Sequence, residues 1–314
     1  MRRAATETVV SSAQCANIRA LDATNLSAIP TFASRTPLHI GAVGLVVRDL
    51  DRVEAYYRTL LGLTALKRTA HSAVLAATDT ALIELIHRPD ALPDDTRQAG
   101  LYHTAFLMPT RADHARWIMH VAKSRMPITG ASDHNVSEAI YLDDPEGNGI
   151  EVYNDRPRER WEYDRDQMIV MQTEPLDIDA IVREIDPATA TYPTAPEGLR
   201  IGHIHLRVGD VARAEKFYRD VIELDVVRRR GGATFMSSGG YHHHVGANVW
   251  HSDGAGQRDD RRAGLAWFEI QANEPAAIDR VTGRLKAANV PITATADGFE
   301  TIDPWGTRIR FAKA

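Results

Sequence analysis

The chain has 314 residues, 44% hydrophobic and 25% charged, which is enough for two domains each with its own core. Its formal net charge is −5 and its pI ≈ 6.2, with no basic run longer than Arg228–Arg230, so composition argues against a nucleic-acid or anionic-membrane partner and for a small molecule. The single cysteine, Cys15, excludes an internal disulfide framework and fits a reducing cytoplasm, and no apolar stretch approaches membrane-spanning length.

Residues 1–37 begin with Arg2 and Arg3, lack a continuous apolar core and continue in Ala, Ser and Thr; they read as a disordered N-terminal extension rather than a signal peptide. Ordered sequence starts with IGAVGLVVRDL (Ile40 to Leu50), a strand of small and β-branched residues. A helix follows, with the apolar stripe Val53, Tyr56, Tyr57, Leu60 and Leu61 ended by Gly62, and then three strands near Ala65, Val74 and Ile83. A second unit opens on the apolar run Leu101 to Met108. Its helix, from Ala112 to Arg125, carries Trp117, Ile118, Val121 and Ala122 at helical spacing. Strands follow at Ile128 to Thr129, Glu138 to Leu142 and, after an Asp-Pro and Gly-Asn turn, Gly149 to Tyr153. Residues 156–198, polar with an amphipathic piece around Ile178 to Ile185, read as a linker. The same grammar returns at IGHIHLRVGDV (Ile201 to Val211), with a helix bearing Ala214, Phe217, Tyr218, Val221 and Ile222 and three strands to Trp250.

The repeat is explicit when the strings are superposed. VVRDLDRVEAYYRTLLGL from Val46 reads against LRVGDVARAEKFYRDVIEL from Leu206, with Asp49 opposite Asp210 and Tyr57 opposite Tyr218. Gly100 in AGLYH stands opposite Gly264 in AGLAW, and DPEGNGIEV from Asp144 opposite DPWGTRIRF from Asp303. Four βαβββ units are expected, near 39–90, 99–155, 199–252 and 262–312. The fold class is α+β, with the first two units as one domain (38–155) and the last two as a second (199–314).

Tandem βαβββ units, a strand beginning Gly-His, a helix ending Phe-Tyr and a closing DPxGNxIE resemble the vicinal oxygen chelate superfamily. GLYH, SDHNVSEAIYLDDPEGNGIE, IGHIHL and GGYHHHVGANVW in this order are most similar to its catechol 2,3-dioxygenase branch. The resemblance implies an extradiol dioxygenase that cleaves the ring of a catechol-type substrate with O2. Its metal would be Fe(II), with Mn(II) chemically admissible, held by two imidazoles and a carboxylate on one face. In the family one His comes from the first strand of one unit, and the second His and the Glu come from the first and last strands of its partner.

Carried over by position, the first-strand slots are Ala42, His103, His203 and Trp267, and the last-strand slots include Glu151 and Arg310. Only the second unit paired with the third gives a full metal set, His103, Glu151 and His203, which implies that units one and four pair without a metal. His134 and Tyr141 match residues the family places beside substrate and oxygen. Alternation along YHHHVGAN puts His242 and His244 on one face and His243 on the other; His244 matches the family's acid–base histidine, with His242 beside it. His205 is expected to pack or to support its neighbours. His39, His71, His87, His114, His120 and His251 fall outside the motifs and are expected at the surface.

Two further classes fit the scaffold. A glyoxalase-type lyase or isomerase would use Ni2+ or Zn2+ with a carboxylate in a fourth slot, which the His-rich third unit argues against. A metal-free binding protein would accommodate Trp267 and Arg310 but not the His, His and Glu. Exposed unit edges suggest a homo-oligomer.

Overall fold

The computed structural model describes residues 31–314. The four units follow one another as β1 (Leu38–Val47), α1 (Leu50–Leu61), β2 (Thr64–Arg68), β3 (Ser72–Ala77) and β4 (Thr80–His87); then β5 (Gly100–Leu107), α2 (Arg111–Lys123), β6 (Gly130–Asp133), β7 (Ser137–Asp143) and β8 (Gly149–Asp155). After a short helix α3 (Ile178–Val182) come β9 (Arg200–Arg207), α4 (Val211–Asp220), β10 (Asp225–Arg230), β11 (Ala233–Ser237) and β12 (Val245–Asn248). The fourth unit is β13 (Gly264–Ala272), α5 (Pro275–Ala287), β14 (Thr293–Ala294), β15 (Gly298–Ile302) and β16 (Arg308–Lys313).

The repeated aspartates start the helices. Asp49 accepts a hydrogen bond from the Arg52 amide at the start of α1, and Asp210 does the same with Arg213 at the start of α4, satisfying an amide that has no partner inside the helix. Thr110 plays this part for α2. Gly62 ends α1 with φ 67°, a backbone conformation that suits a residue without Cβ.

The strands form two eight-stranded sheets, ordered β14-β15-β16-β13-β1-β4-β3-β2 and β10-β11-β12-β9-β5-β8-β7-β6. In each, two first strands run antiparallel at the centre, β1 with β13 and β5 with β9. Unit one therefore shares a sheet with unit four, and unit two with unit three, so the two halves of the chain interleave. Apolar residues from all four helices of the units, such as Val53, Trp117, Phe217 and Val281, pack with the sheets in one continuous core.

Three expectations change. Ala33–Arg35 forms a 3-10 turn, and Ala33 and Thr36 are buried, so residues 31–37 are built into the fold; the rest of the expected extension lies outside the described residues. His114 is buried, with Nδ1 2.6 Å from Asn154 Oδ1, and burial pushes its pKa down to about 4. His39, also expected outside, is buried as well. The segment 156–198 does more than join the halves. Trp161, Ile169 and Met171 are buried in the core of the second sheet, and Glu174 pairs with Asp133 at its edge.

Candidate metal centre

Register alone brings the three expected metal ligands together. Ala105 on β5 lies opposite His203 on β9 and opposite Glu151 on β8, and Glu151 lies opposite Tyr141 on β7, so His203, Ala105, Glu151 and Tyr141 form one row across four strands. Side chains in such a row share a face, and so does His103, two residues before Ala105. The small Ala105 leaves open the space across which the larger side chains converge. A parallel row runs Gly149, His103, His205, Gly246 and Phe235. Gly149 is obligatory there, since a Cβ would lie 2.1 Å from the Tyr102 carbonyl oxygen.

Glu151 Oε2 lies 3.0 Å from His103 Nε2 and 3.2 Å from His203 Nε2, and one ligand atom from each of the three residues falls within 4.8 Å of the others. All three side chains are buried. Burial alone would raise the Glu151 carboxyl, but the facing imidazoles of His203 and His103 outweigh it and hold it well below the usual carboxylate range. His203 is pushed down to about 4 by burial, against the pull of Glu151, so its imidazole is neutral and able to ligate. His103 Nε2 and His203 Nδ1 have no well-aligned hydrogen-bond partner. A buried carboxylate facing two buried imidazoles is a costly arrangement without a cation and a suitable donor set with one.

The site opens into a cavity of about 720 Å3. His134 and Tyr141 line it. The Gln172 carbonyl, 2.5 Å away, accepts from His134 Nδ1, which leaves Nε2 to accept from the Tyr141 hydroxyl at 2.6 Å. Met171, Gln172 and Thr173 of the supposed linker also line the cavity, as do Tyr102, His205, Phe235 and Trp250.

A family model described as the Glyoxalase/Bleomycin resistance protein/Dioxygenase superfamily matches residues 39–152 and 200–311. The chain belongs to this superfamily. It is 38% identical over 270 residues, 85% of this chain and 94% of the relative, to a catechol-2,3-dioxygenase of Bacillus subtilis (strain 168), and it is a catechol dioxygenase-like enzyme. Among solved structures, a putative dioxygenase from Bacillus subtilis matches with TM-score 0.59 at 14% identity, covering 87% of this chain and 84% of that one. Glyoxalase I from Zea mays matches with TM-score 0.54 at 15% identity, covering 90% and 94%. Both share the fold.

Within this superfamily frame, the histidine run departs from the expected alternation. Gly239 and Gly240 take φ of 64° and 75°, and β12 starts only at Val245, so residues 241–244 are not extended strand and a period of two does not apply. His243, not His244, lines the cavity, with its ring 3.9 Å from that of His203. His244 lies outside the lining, and both of its nitrogens are engaged: Nδ1 accepts from the Ser238 amide and Nε2 donates to the Ala33 carbonyl. Burial pushes its pKa down to about 3. His242 also lies outside the lining, bridging His243 to Asp155. Sequence reasoning missed His243, Asp155 and the 171–173 segment; the two consecutive glycines before the run were the available signal that the strand is interrupted.

Proposed function

We propose that the chain is an extradiol dioxygenase that opens the ring of a catechol-type diol with O2, using Fe(II) held by His103, His203 and Glu151. The observation that carries the reading is the convergence of these three side chains from three strands of two different units onto one point beside a cavity. When bound, iron with three protein ligands supplies open positions for both diol oxygens and for dioxygen. The remaining chemistry belongs to the chain.

Asp155 Oδ1 accepts from His242 Nε2, 2.9 Å away, so in neutral His242 Nδ1 is an acceptor. His243 Nδ1, 2.8 Å from it, must then be the donor, which leaves His243 Nε2 unprotonated. Burial, reinforced by the neighbouring His203, depresses the His243 pKa well below its ordinary value, which keeps that nitrogen free. His243 Nε2 is the base for the diol proton and the acid that later returns it, with His242 and Asp155 fixing the ring. His134 and Tyr141, hydrogen-bonded to each other on the opposite side of Glu151, orient substrate and oxygen.

The glyoxalase alternative needs a second carboxylate. The pseudo-twofold relation between β5 and β9 takes His103 to His203 and Ala105 to His205, and therefore Glu151 to Gly246, which has no side chain to offer. Anaerobic loading with Fe(II), then with Mn(II), followed by oxygen uptake against a panel of catechols tests the proposal. Uptake with ring-opened product and one metal per chain is expected; isomerase activity without oxygen uptake would defeat it.

A further inference from the structure

The segment that the sequence presents as a linker ties the two edges of the second sheet to each other. β10 and β6 are the first and last strands of that sheet, and the stretch from Trp161 to Glu174 bonds to both. On β10, the Ile169 amide donates to the Val227 carbonyl at 3.0 Å, Arg228 Nη1 to Asp164 at 2.8 Å and Arg230 Nη1 to the Thr173 hydroxyl at 2.8 Å. On β6, Asp133 and Glu174 exchange both backbone hydrogen bonds, at 2.9 and 3.0 Å. Between these ends the stretch is pinched into a hairpin, with the Val170 amide on the Glu162 carbonyl at 2.9 Å, and Trp161, Ile169 and Met171 anchor it in the core. A segment fastened at both ends and in the middle keeps one backbone path, so its carbonyls point in fixed directions.

What this path brings to the cavity is an acceptor for His134, which follows directly on β6. Gln172 holds that residue twice: its amide donates to the His134 carbonyl at 3.4 Å, and its own carbonyl accepts from His134 Nδ1 at 2.5 Å. In a neutral imidazole only one nitrogen carries a hydrogen, so an acceptor fixed at Nδ1 selects the tautomer whose Nε2 offers a lone pair, here to the Tyr141 hydroxyl. The next residue, Thr173, is the one bound by Arg230. A line of contacts therefore runs from Arg230 in unit three through Thr173 and Gln172 to His134 in unit two. Thr173 and Arg230 are both exposed, so their bond lies outside the core.

We infer that residues 161–174 are a positioning strap for His134, and that the hydrogen bond between Arg230 and Thr173 is the clasp that sets where the Gln172 carbonyl lies. Thr173 and Arg230 are then positioning residues, acting through the His134 ring. The inference rests on the dioxygenase reading for the part His134 plays in turnover; the hold of the strap on the ring does not depend on it.

Two measurements on the full chain test this. Nitrogen NMR of the labelled, metal-free protein reads the His134 ring: Nδ1 protonated and Nε2 bare is expected for the wild type, Thr173→Val should move the ring toward a mixture of tautomers, and Thr173→Ser should restore it. Oxygen uptake by the Fe(II)-loaded enzyme with catechol reads the consequence. Thr173→Val should lower kcat about fivefold, the size of one neutral hydrogen bond, with metal content and KM unchanged. Thr173→Ser should recover most of that loss, and Arg230→Ala should match Thr173→Val. In a His134→Phe background Thr173→Val should have no further effect, because the residue it acts through is gone. Arg230 also lines the cavity, so an Arg230→Ala variant that raises KM alone would mean that it serves the substrate and not the strap, and would overturn the inference. A Thr173→Val protein with wild-type tautomer and kcat would overturn it too, as would a loss that persists beside His134→Phe. Tautomer changes as expected, with no oxygen uptake by the wild type, would count against the dioxygenase reading and leave the strap standing.

Discussion

The two sheets have the same topology and opposite chemistry at the same positions. In one, the last-strand slots hold Glu151 and Gly246; in the other they hold Arg310 and Glu84. Where His103 faces His205, Trp267 faces Gly44, and the indole fills the space so fully that a Cβ on Gly44 would lie 2.2 Å from Trp267 Nε1. Arg310 stacks on the indole face, 3.8 Å from its centroid, and reaches Glu300 at 3.3 Å and Glu84 at 3.8 Å. One sheet presents buried imidazoles around a carboxylate; the other sets its own guanidinium among carboxylates and an indole. The fold therefore tolerates either solution, and a few side chains at equivalent slots decide which sheet gathers a candidate donor set and which is packing.

The largest effect should come from breaking the first solution. Glu151→Ala is expected to reduce bound metal to near zero by elemental analysis and to abolish oxygen uptake, while an iron-replete, active variant would remove Glu151 from the ligand set. Next come the two neighbouring histidines. His243→Ala should lower kcat by about 10²–10⁴-fold with metal content kept, the usual span for a lost acid–base group. His244→Ala should leave kcat within a few-fold and cost about 1–3 kcal/mol of stability, because it removes the partner of the buried Ser238 amide and Ala33 carbonyl. A reversal of these two results would restore His244 to the cavity role.

The second solution is tested on its own sheet. Arg310→Ala leaves the carboxylates of Glu84 and Glu300 without their guanidinium and should cost about 3 kcal/mol in urea unfolding, less than a fully buried pair because Glu300 retains Arg308. Metal content should not change. Metal loss in this variant would mean that the sheets are coupled more tightly than their separate registers imply.

What could be read from the sequence follows from which interactions are local. The helical stripes, the Gly62 stop and the short apolar strands each depend on neighbouring residues, and the strings around Asp49 and Asp210 repeat, so the four units were legible. The pairing of unit two with unit three was legible for a different reason: among the ligand slots that the family resemblance implies, Ala42, Trp267 and Arg310 cannot ligate, and only units two and three together supply a complete donor set. The histidine run failed because periodicity presumes a strand, and the positive φ at Gly239 and Gly240 interrupts it. Met171, Gln172 and Thr173 could not be placed because nothing in a polar connecting segment marks which stretch folds back over a cavity formed by strands far away in sequence. Thr36 was hidden in the same way: its contact with His244 joins positions 208 apart.

The smallest effect contrasts the two DP turns. Asp144 and Asp303 each accept from turn amides and from a tyrosine hydroxyl, Tyr57 and Tyr218 respectively, both at 3.3 Å. Asp144 also accepts from the Asn148 side-chain amide at 2.8 Å, where the second turn has Thr307. Burial pushes the Asp303 carboxyl from 3.8 up to about 6 against its hydrogen bonds from Thr307, Trp305 and Tyr218. The folded state thus holds this proton more tightly than the unfolded chain, so the contribution is full below pH 3.8, declines as pH rises through about 6 and is level above that. At most about 3 kcal/mol is involved, since a tenfold change in proton affinity is worth about 1.4 kcal/mol. Asp303→Asn keeps the shape and one acceptor and removes the proton, so the difference between wild-type and variant stability should slope across that window and flatten on either side. Chemical denaturation at a series of pH values reads this directly; Asp144→Asn, where the carboxyl accepts from the Asn148 side-chain amide, should give a shallower slope, and equal slopes for both variants would mean that the Asn148 amide does not distinguish the two turns.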